Sequence, residues 1–238
     1  MQSQTSNSTS LINPFIKLLL WASIWMHVLN GVITLCICFP FITSKRKCAH
    51  IRRWSNKLLK IFGIQLQVVN SSILPNTPYL LVSNHISWLD IHAINSFQPI
   101  RFVAKSEVES WPVFGWMAKQ LGTIFIKRGS SRNATAVVKH MAEVLQTESI
   151  CIFPEGTSTE GSNVKPFKAN LFESAVMSSS PVYGLAIQYF DLDTGLRSEV
   201  AAFVGDMGLI ESMSRILSHR KLRVELTFLA PSETMPNS

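Results

Sequence analysis

The strongest constraint on this chain is a run near its start, residues 18–43, LLLWASIWMHVLNGVITLCICFPFIT, which holds no formally charged residue. About 20 consecutive apolar residues suffice to cross a bilayer. His27 and Asn30 interrupt the run near its middle, and Gly31 and Pro40 argue against one regular helix. A tilted, broken or re-entrant hairpin therefore fits the sequence as well as a straight span. Residues 1–16 carry no charge and the apolar run is longer than the roughly 7–15 residues of a secretory signal core, so a cleaved leader is not expected. Only Lys17 precedes the run, whereas seven cations fall between Lys45 and Lys60, and that bias places the rest of the chain in the cytoplasm. A buried core helix is the competing reading.

The same run explains the charge balance. The net +7 divides into ten Lys/Arg against Asp90 alone in residues 1–106, a net +9, and twelve against fourteen acids in residues 107–238, a net −2. Most of the positive charge is thus a collar behind the apolar run, where each cation near an anionic leaflet is worth about 1 kcal/mol. A membrane-attached module binding anionic lipid or nucleic acid is the alternative from a different class. Against it, Trp54 is the only aromatic among those cations before Phe62, and nucleic acid is not an expected partner. Four cysteines in 238 residues are too few for a disulfide-stapled fold and point to a reducing compartment. Cys36 and Cys38 have no His or acid at ligand spacing, so no metal site is expected.

Beyond the collar, short β-rich runs alternate with amphipathic segments. Strands are expected at 65–69, 79–82, 100–104, 123–126, 149–153, 182–187, 200–204 and 222–229. Helical spacing occupies 89–96, 116–120, 134–146, 167–177 and 209–219. The alternation predicts an α/β fold, a layered mixed sheet with flanking helices preceded by an N-terminal apolar membrane helix or hairpin. The expected division is a polar tail at 1–16, an anchor and basic collar at 17–60, one folded domain at 61–232 and a short tail at 233–238.

Three strand ends carry chemistry-bearing residues. After the apolar strand at 79–82, a polar turn presents Asn84 and His85, and Asp90 follows five residues after the histidine, where a helix begins. A turn of that length can return the carboxylate to the imidazole, fix its tautomer and leave the other nitrogen free to take a proton from an alcohol. The strand Gly122-Thr123-Ile124-Phe125-Ile126 ends in Lys127, Arg128 and Gly129, two cations suited to a phosphate. The strand Ile150-Cys151-Ile152-Phe153 runs into Pro154-Glu155-Gly156-Thr157, a turn that displays Glu155 and Thr157 at its tip. Gly156 to Gly161 resembles a serine-hydrolase elbow but has one residue too many.

Together, and in this order, these blocks resemble the glycerolipid acyltransferases typified by 1-acylglycerol-3-phosphate acyltransferase. The matching residues are Asn84-His85 with Asp90, Gly122 to Arg128, Phe153 to Thr157, and Pro181-Val182-Tyr183-Gly184-Leu185. The resemblance covers roughly residues 54–231. It implies an acyl transfer in which His85 is the general base, Asp90 its partner, and Arg128, Glu155, Gly156 and Thr157 hold the acceptor head group, with Lys127 and Asn84 completing the substrate-binding set. It implies no bound cofactor. The donor would be an acyl thioester of coenzyme A or acyl-carrier protein, the acceptor a lysolipid, and the setting the bacterial inner membrane with catalysis on the cytoplasmic side. The product from 1-acylglycerol-3-phosphate would be phosphatidic acid. One departure bears on the acceptor: the family often continues Glu-Gly-Thr with Arg, and here Ser158 stands there. Lys127, Lys165 or Lys168 could supply the cation, or the acceptor could be one without a phosphomonoester, such as lyso-ornithine lipid.

Overall fold

The computed structural model describes residues 13–127 and 131–231. Arg128 and the terminal segments 1–12 and 232–238 lie outside the described residues. Residues 14–16, expected within the polar tail, are already helical. Asn13 Oδ1 accepts the amide of Phe15 and Pro14 occupies the first turn, a start that opens helix α1, Pro14–Ile33. The helical path then loosens into a π-helical turn at Thr34–Cys38 and tightens into a 3-10 turn at Phe39–Phe41, where Pro40 stops it. Helix α2, Ser44–Ile61, folds back against α1. The apolar run and the basic collar are therefore the two arms of a helical hairpin.

A seven-stranded sheet follows, made of β1 Ile64–Val69, β2 Leu80–Ser83, β3 Arg101–Lys105, β4 Ile124–Ile126, β5 Ile150–Ile152, β6 Val182–Asp191 and β7 Leu222–Leu229. Its spatial order is β1-β7-β6-β2-β5-β3-β4. Strands β2 to β6 run parallel, and β7 enters antiparallel to β6 with β1 parallel beside it. Around it lie α3 Leu89–Phe97, α4 Ser106–Glu109, α5 Phe114–Gln120, α6 Ser131–Val144, α7 Glu173–Ser178 and α8 Leu209–His219. The period-two pattern drives the central pairing. Tyr183, Leu185, Ile187 and Tyr189 of β6 are buried, as are Leu222, Val224, Leu226 and Phe228 of β7.

Two expected elements of the folded domain also differ from the structure. Residues 200–204 form no strand, because β6 already has β2 and β7 as neighbours and the free sheet edges belong to β1 and β4. The segment instead lies over the first chemistry-bearing turn: the Phe203 amide donates to the Ile86 carbonyl at 2.9 Å, and Arg215 bonds the Ala202 carbonyl. Residues 167–177 are not one helix. The Lys168 amide donates to the Pro154 carbonyl at 3.0 Å, so helical structure waits for a 3-10 turn at Ala169–Leu171 and then α7.

The hairpin is fastened to the sheet layer. Ile24 and Val28 of α1 and Leu58 and Leu59 of α2 share one buried core with Phe62, Leu89, Ile187 and Leu226. Residues 17–60 thus pack as part of the same body as residues 61–231. His27 Nε2 donates to the Trp54 carbonyl at 3.0 Å, Trp54 Nε1 donates back to the His27 carbonyl at 3.1 Å, and the two rings stack at 4.4 Å. Asn56 Nδ2 ties α2 to the Ser96 carbonyl of α3 at 2.8 Å. The opposite face of α1 exposes Phe15, Leu18, Leu19, Met26 and Leu29, and Phe41 beyond it is 87% exposed. Pro14–Phe41 is long and apolar enough to cross a membrane, and only 28% of its most apolar window is buried against the rest of the chain.

Candidate active site

Because β2 and β5 are parallel neighbours, the turns that follow them emerge at the same end of the sheet. Strand β6 is parallel to β2 on its other side and pairs Leu185 with Ser83, then continues past the end of β2 as a floor for the turn. Asn84 begins the turn as a local strand substitute: its Nδ2 donates to the Ile187 carbonyl at 3.0 Å and its Oδ1 accepts the Ile187 amide at 2.7 Å. Both polar ends of that side chain are spent on β6.

His85 and Asp90 meet as their spacing predicts. The His85 Nδ1–H donates to Asp90 Oδ2 at 2.8 Å; the carboxylate can only accept, so the other ring nitrogen, Nε2, carries the lone pair. No bond to Nε2 occurs among the described residues, and the side chain keeps 21% of its surface exposed. Asp90 is fully buried, yet its charge is well partnered. Oδ2 also accepts the amides of Ile86 at 2.7 Å and Ser87 at 2.9 Å, and Oδ1 accepts the Tyr189 hydroxyl at 2.8 Å. Burial and then the nearby Asp90 charge push the Tyr189 phenol well above its ordinary range, so it stays a proton donor. The same two causes push the buried Cys151 thiol up and keep it unreactive.

The Phe153–Thr157 turn fixes His85 from the other side. Glu155 is buried, and its two oxygens accept the His85 amide at 2.8 Å and the Lys165 amide at 2.7 Å. The His85 carbonyl accepts the Thr159 amide at 2.8 Å. Gly156 takes φ = +67°, which glycine adopts without strain, and a methyl group there would stand 2.5 Å from the Lys168 ammonium. Lys168 is therefore the cation brought to this turn. Thr157 sits half-buried beside it. Ser158 turns inward and donates to the Phe203 carbonyl. Lys127 is exposed at the end of β4, three strands from β2, or roughly 14 Å at the usual strand spacing, so it does not join the dyad.

An aromatic column leads from the dyad into the protein. The His85 ring stacks on Phe153 at 4.1 Å, and Phe153 stacks on Phe102 at 6.1 Å. Phe102 lines a partly open cavity of about 430 Å³ bounded by the hairpin, α3 and α5, with Ile24, Val28, Leu58, Trp88 and Met117 among its walls. Sequence reading missed this cavity, and it missed Tyr189. The signal for Tyr189 was present: the alternation of β6 puts it on the buried face, where a phenol needs an acceptor. A second His–Asp pair, His219 Nε2 to Asp191 Oδ2 at 2.7 Å, also escaped notice. Asp191 there accepts the Thr194 and Asp193 amides, which closes a surface turn at the far end of β6.

Comparison with known proteins places these features in a class. The acyltransferase family pattern matches residues 65–188, and the chain belongs to that family. It is 37% identical to the 1-acyl-sn-glycerol-3-phosphate acyltransferase of Neisseria gonorrhoeae over 155 residues, 65% of this chain and 60% of that protein. It is 34% identical to the lyso-ornithine lipid O-acyltransferase of Pseudomonas aeruginosa over 181 residues, 76% of this chain and 68% of that protein. The crystal structure of the 1-acyl-sn-glycerophosphate acyltransferase PlsC from Thermotoga maritima shares the fold, with a TM-score of 0.63 over 94% of this chain and 87% of that one at 19% identity. The chain spans about 60% of the length of the Neisseria relative.

Proposed function

We propose that this protein is a membrane-associated O-acyltransferase that moves a fatty acyl group from a coenzyme A or acyl-carrier-protein thioester to the free hydroxyl of a lysolipid. The observation that carries the reading is the buried Asp90 carboxylate, held by two amides and a phenol, gripping His85 Nδ1 and leaving Nε2 free. His85 Nε2 takes the acceptor hydroxyl proton as the oxygen attacks the thioester carbonyl. The thiolate then leaves and recovers that proton. General-base help of this kind is worth about 10²–10⁴-fold, and positioning supplies much of the rest. No covalent acyl-enzyme is needed. The apolar cavity beyond Phe102 fits the acyl chain.

The acceptor in this reading is 1-acylglycerol-3-phosphate, with the Lys168 ammonium beside Gly156 as the phosphate contact and product phosphatidic acid. Lyso-ornithine lipid is the second acceptor reading. It is favoured by Ser158, whose hydroxyl is committed to the Phe203 carbonyl where a cation would serve a phosphomonoester. Offering purified protein lysophosphatidic acid and lyso-ornithine lipid side by side with one thioester tests this: phosphatidic acid as the main product supports the first acceptor, acylated ornithine lipid the second, and no acylation of either overturns the function.

The hairpin supports the reading of membrane attachment. One face of α1 is bound to the folded core, so the domain lies against the bilayer with the outer face of α1 in lipid and the exposed cations Lys45, Arg46, Arg52, Arg53, Lys57 and Lys60 of α2 toward anionic head groups on the cytoplasmic side. Release of the protein from vesicles by mild salt alone would contradict this placement.

A further inference from the structure

The charge on the cavity sits at its rim. Among the described residues that line it, only Asn30, Arg53 and Lys57 are exposed, so these three form its solvent-facing edge on the hairpin. Arg53 and Lys57 stand one turn apart on the same side of α2. Asn30 of α1 is close by, because Asn30 and Arg53 each precede a member of a touching pair: a methyl group on Gly31 would lie 2.7 Å from Trp54 Nε1. Polar groups deeper in the wall are spent or sealed in. Asn95 Oδ1 accepts the Ile100 amide at 3.2 Å, His50 packs edge-on against Phe39, and the unpartnered atoms of His27, Ser55 and His92 have no accessible surface.

Nothing described in the chain neutralises that rim. Among the described residues no Asp or Glu lines the cavity, and the side chains of Arg53, Lys57 and Asn30 make no ion pair or hydrogen bond. Two like charges a helical turn apart repel one another, so the pair gains from an anion that comes from outside. Behind the rim the wall is oily, with Leu35, Phe39, Phe114 and Met117 among its residues. A cationic edge on an apolar cavity complements a molecule with one anionic end and one long chain. In the reading above, the phosphate of a lysolipid acceptor goes to Lys168 at a different turn. That leaves a single-chain carboxylate, a free fatty acid, as the anion for Arg53 and Lys57.

We propose that the cavity binds a free fatty acid, chain inward, with its carboxylate on Arg53, Lys57 and the Asn30 amide, and that the bound acid inhibits acyl transfer by holding the space the donor's chain needs. The inhibition rests on reading the cavity as the acyl-chain site; the binding does not. A brominated fatty acid and the brominated alcohol of the same chain, titrated against the full chain in neutral detergent and mildly alkaline, low-salt buffer, test the binding. Quenching of tryptophan fluorescence reads it, since Trp54, Trp88 and Trp111 line the cavity. The wild type should bind the acid about tenfold more tightly than the alcohol, and the double variant Arg53→Gln/Lys57→Gln should bring that ratio toward one while its affinity for the alcohol stays the same. Lys45→Gln/Arg46→Gln removes as much charge from α2 away from the rim and should keep the preference. Equal binding of acid and alcohol overturns the proposal, as does a preference that survives the rim substitutions or is lost equally in the control. Displacement of the brominated acid by lysophosphatidic acid but not by plain fatty acids also overturns it. In acylation assays the plain fatty acid should inhibit competitively against the thioester. Binding at the rim without such inhibition would contradict the acyl-chain reading and leave the fatty-acid site standing.

Discussion

Asp90 and His92 stand two residues apart on α3 and treat polar atoms in opposite ways. Asp90 faces the strand-end turn, where four donors converge on its two oxygens. His92 packs on the other side among residues that line the cavity, and its Nδ1 is buried with no partner among the described residues. A charge that must stay ionised while fully buried needs its partners built in, since an unpaired buried carboxylate would take up a proton instead. A neutral imidazole can stay unpaired at a smaller cost. One short helix thus carries a fully partnered charge on one side and a buried, unpaired neutral ring on the other.

Substitutions on either side of the helix sharpen this contrast. Asp90→Asn should have the largest effect, lowering kcat by about 10²–10⁴-fold because the amide no longer fixes the proton-accepting tautomer of His85; acylation assays in vesicles read it, and near-normal turnover would break the comparison. Next comes acid sensitivity from the cavity side. The His92 ring titrates near 4 when folded and near 6.5 when unfolded, so stability is fully present above about 6.5 and falls by up to about 3 kcal/mol as pH drops toward 4. Unfolding measured at pH 7.5 and 4.5 should show that loss in the wild type and a smaller one in His92→Phe. Tyr189→Phe leaves Asp90 Oδ1 with no described partner and should cost about 1–3 kcal/mol in stability, with kcat reduced and acceptor KM little changed. The smallest effect is expected from Lys168→Ala. It should raise KM for lysophosphatidic acid by roughly tenfold, with less change for lyso-ornithine lipid.

These two regions also differ in how far the sequence reveals them. The dyad is local: a strand, a polar turn and an acid five residues after the histidine suffice to pair His85 with Asp90. The α/β alternation likewise gave strands and helices close to their observed bounds. What the dyad needs from afar was harder to see. Tyr189 lies 99 residues beyond Asp90, and Glu155 reaches the His85 amide across 70. A carboxylate at a turn tip reads as available to a substrate, and nothing in residue type tells that both its oxygens accept backbone amides. Residues 200–204 read as a strand because they are apolar, whereas the Phe203 amide bonds to the turn after β2 instead of to a sheet edge. The cavity was the least legible feature. Its wall is assembled from α1, α2, α3 and α5, which come together only once the hairpin folds back onto the sheet layer.

The central claim is that His85, gripped by Asp90, removes the acceptor proton. Its most direct test is the rate of thioester-dependent lysolipid acylation by His85→Ala against the wild type in the same vesicles, with membrane attachment and thermal unfolding checked alongside. The account predicts a loss of about 10²-fold or more in kcat by a protein that remains folded and bound. Full activity of the folded variant would contradict it.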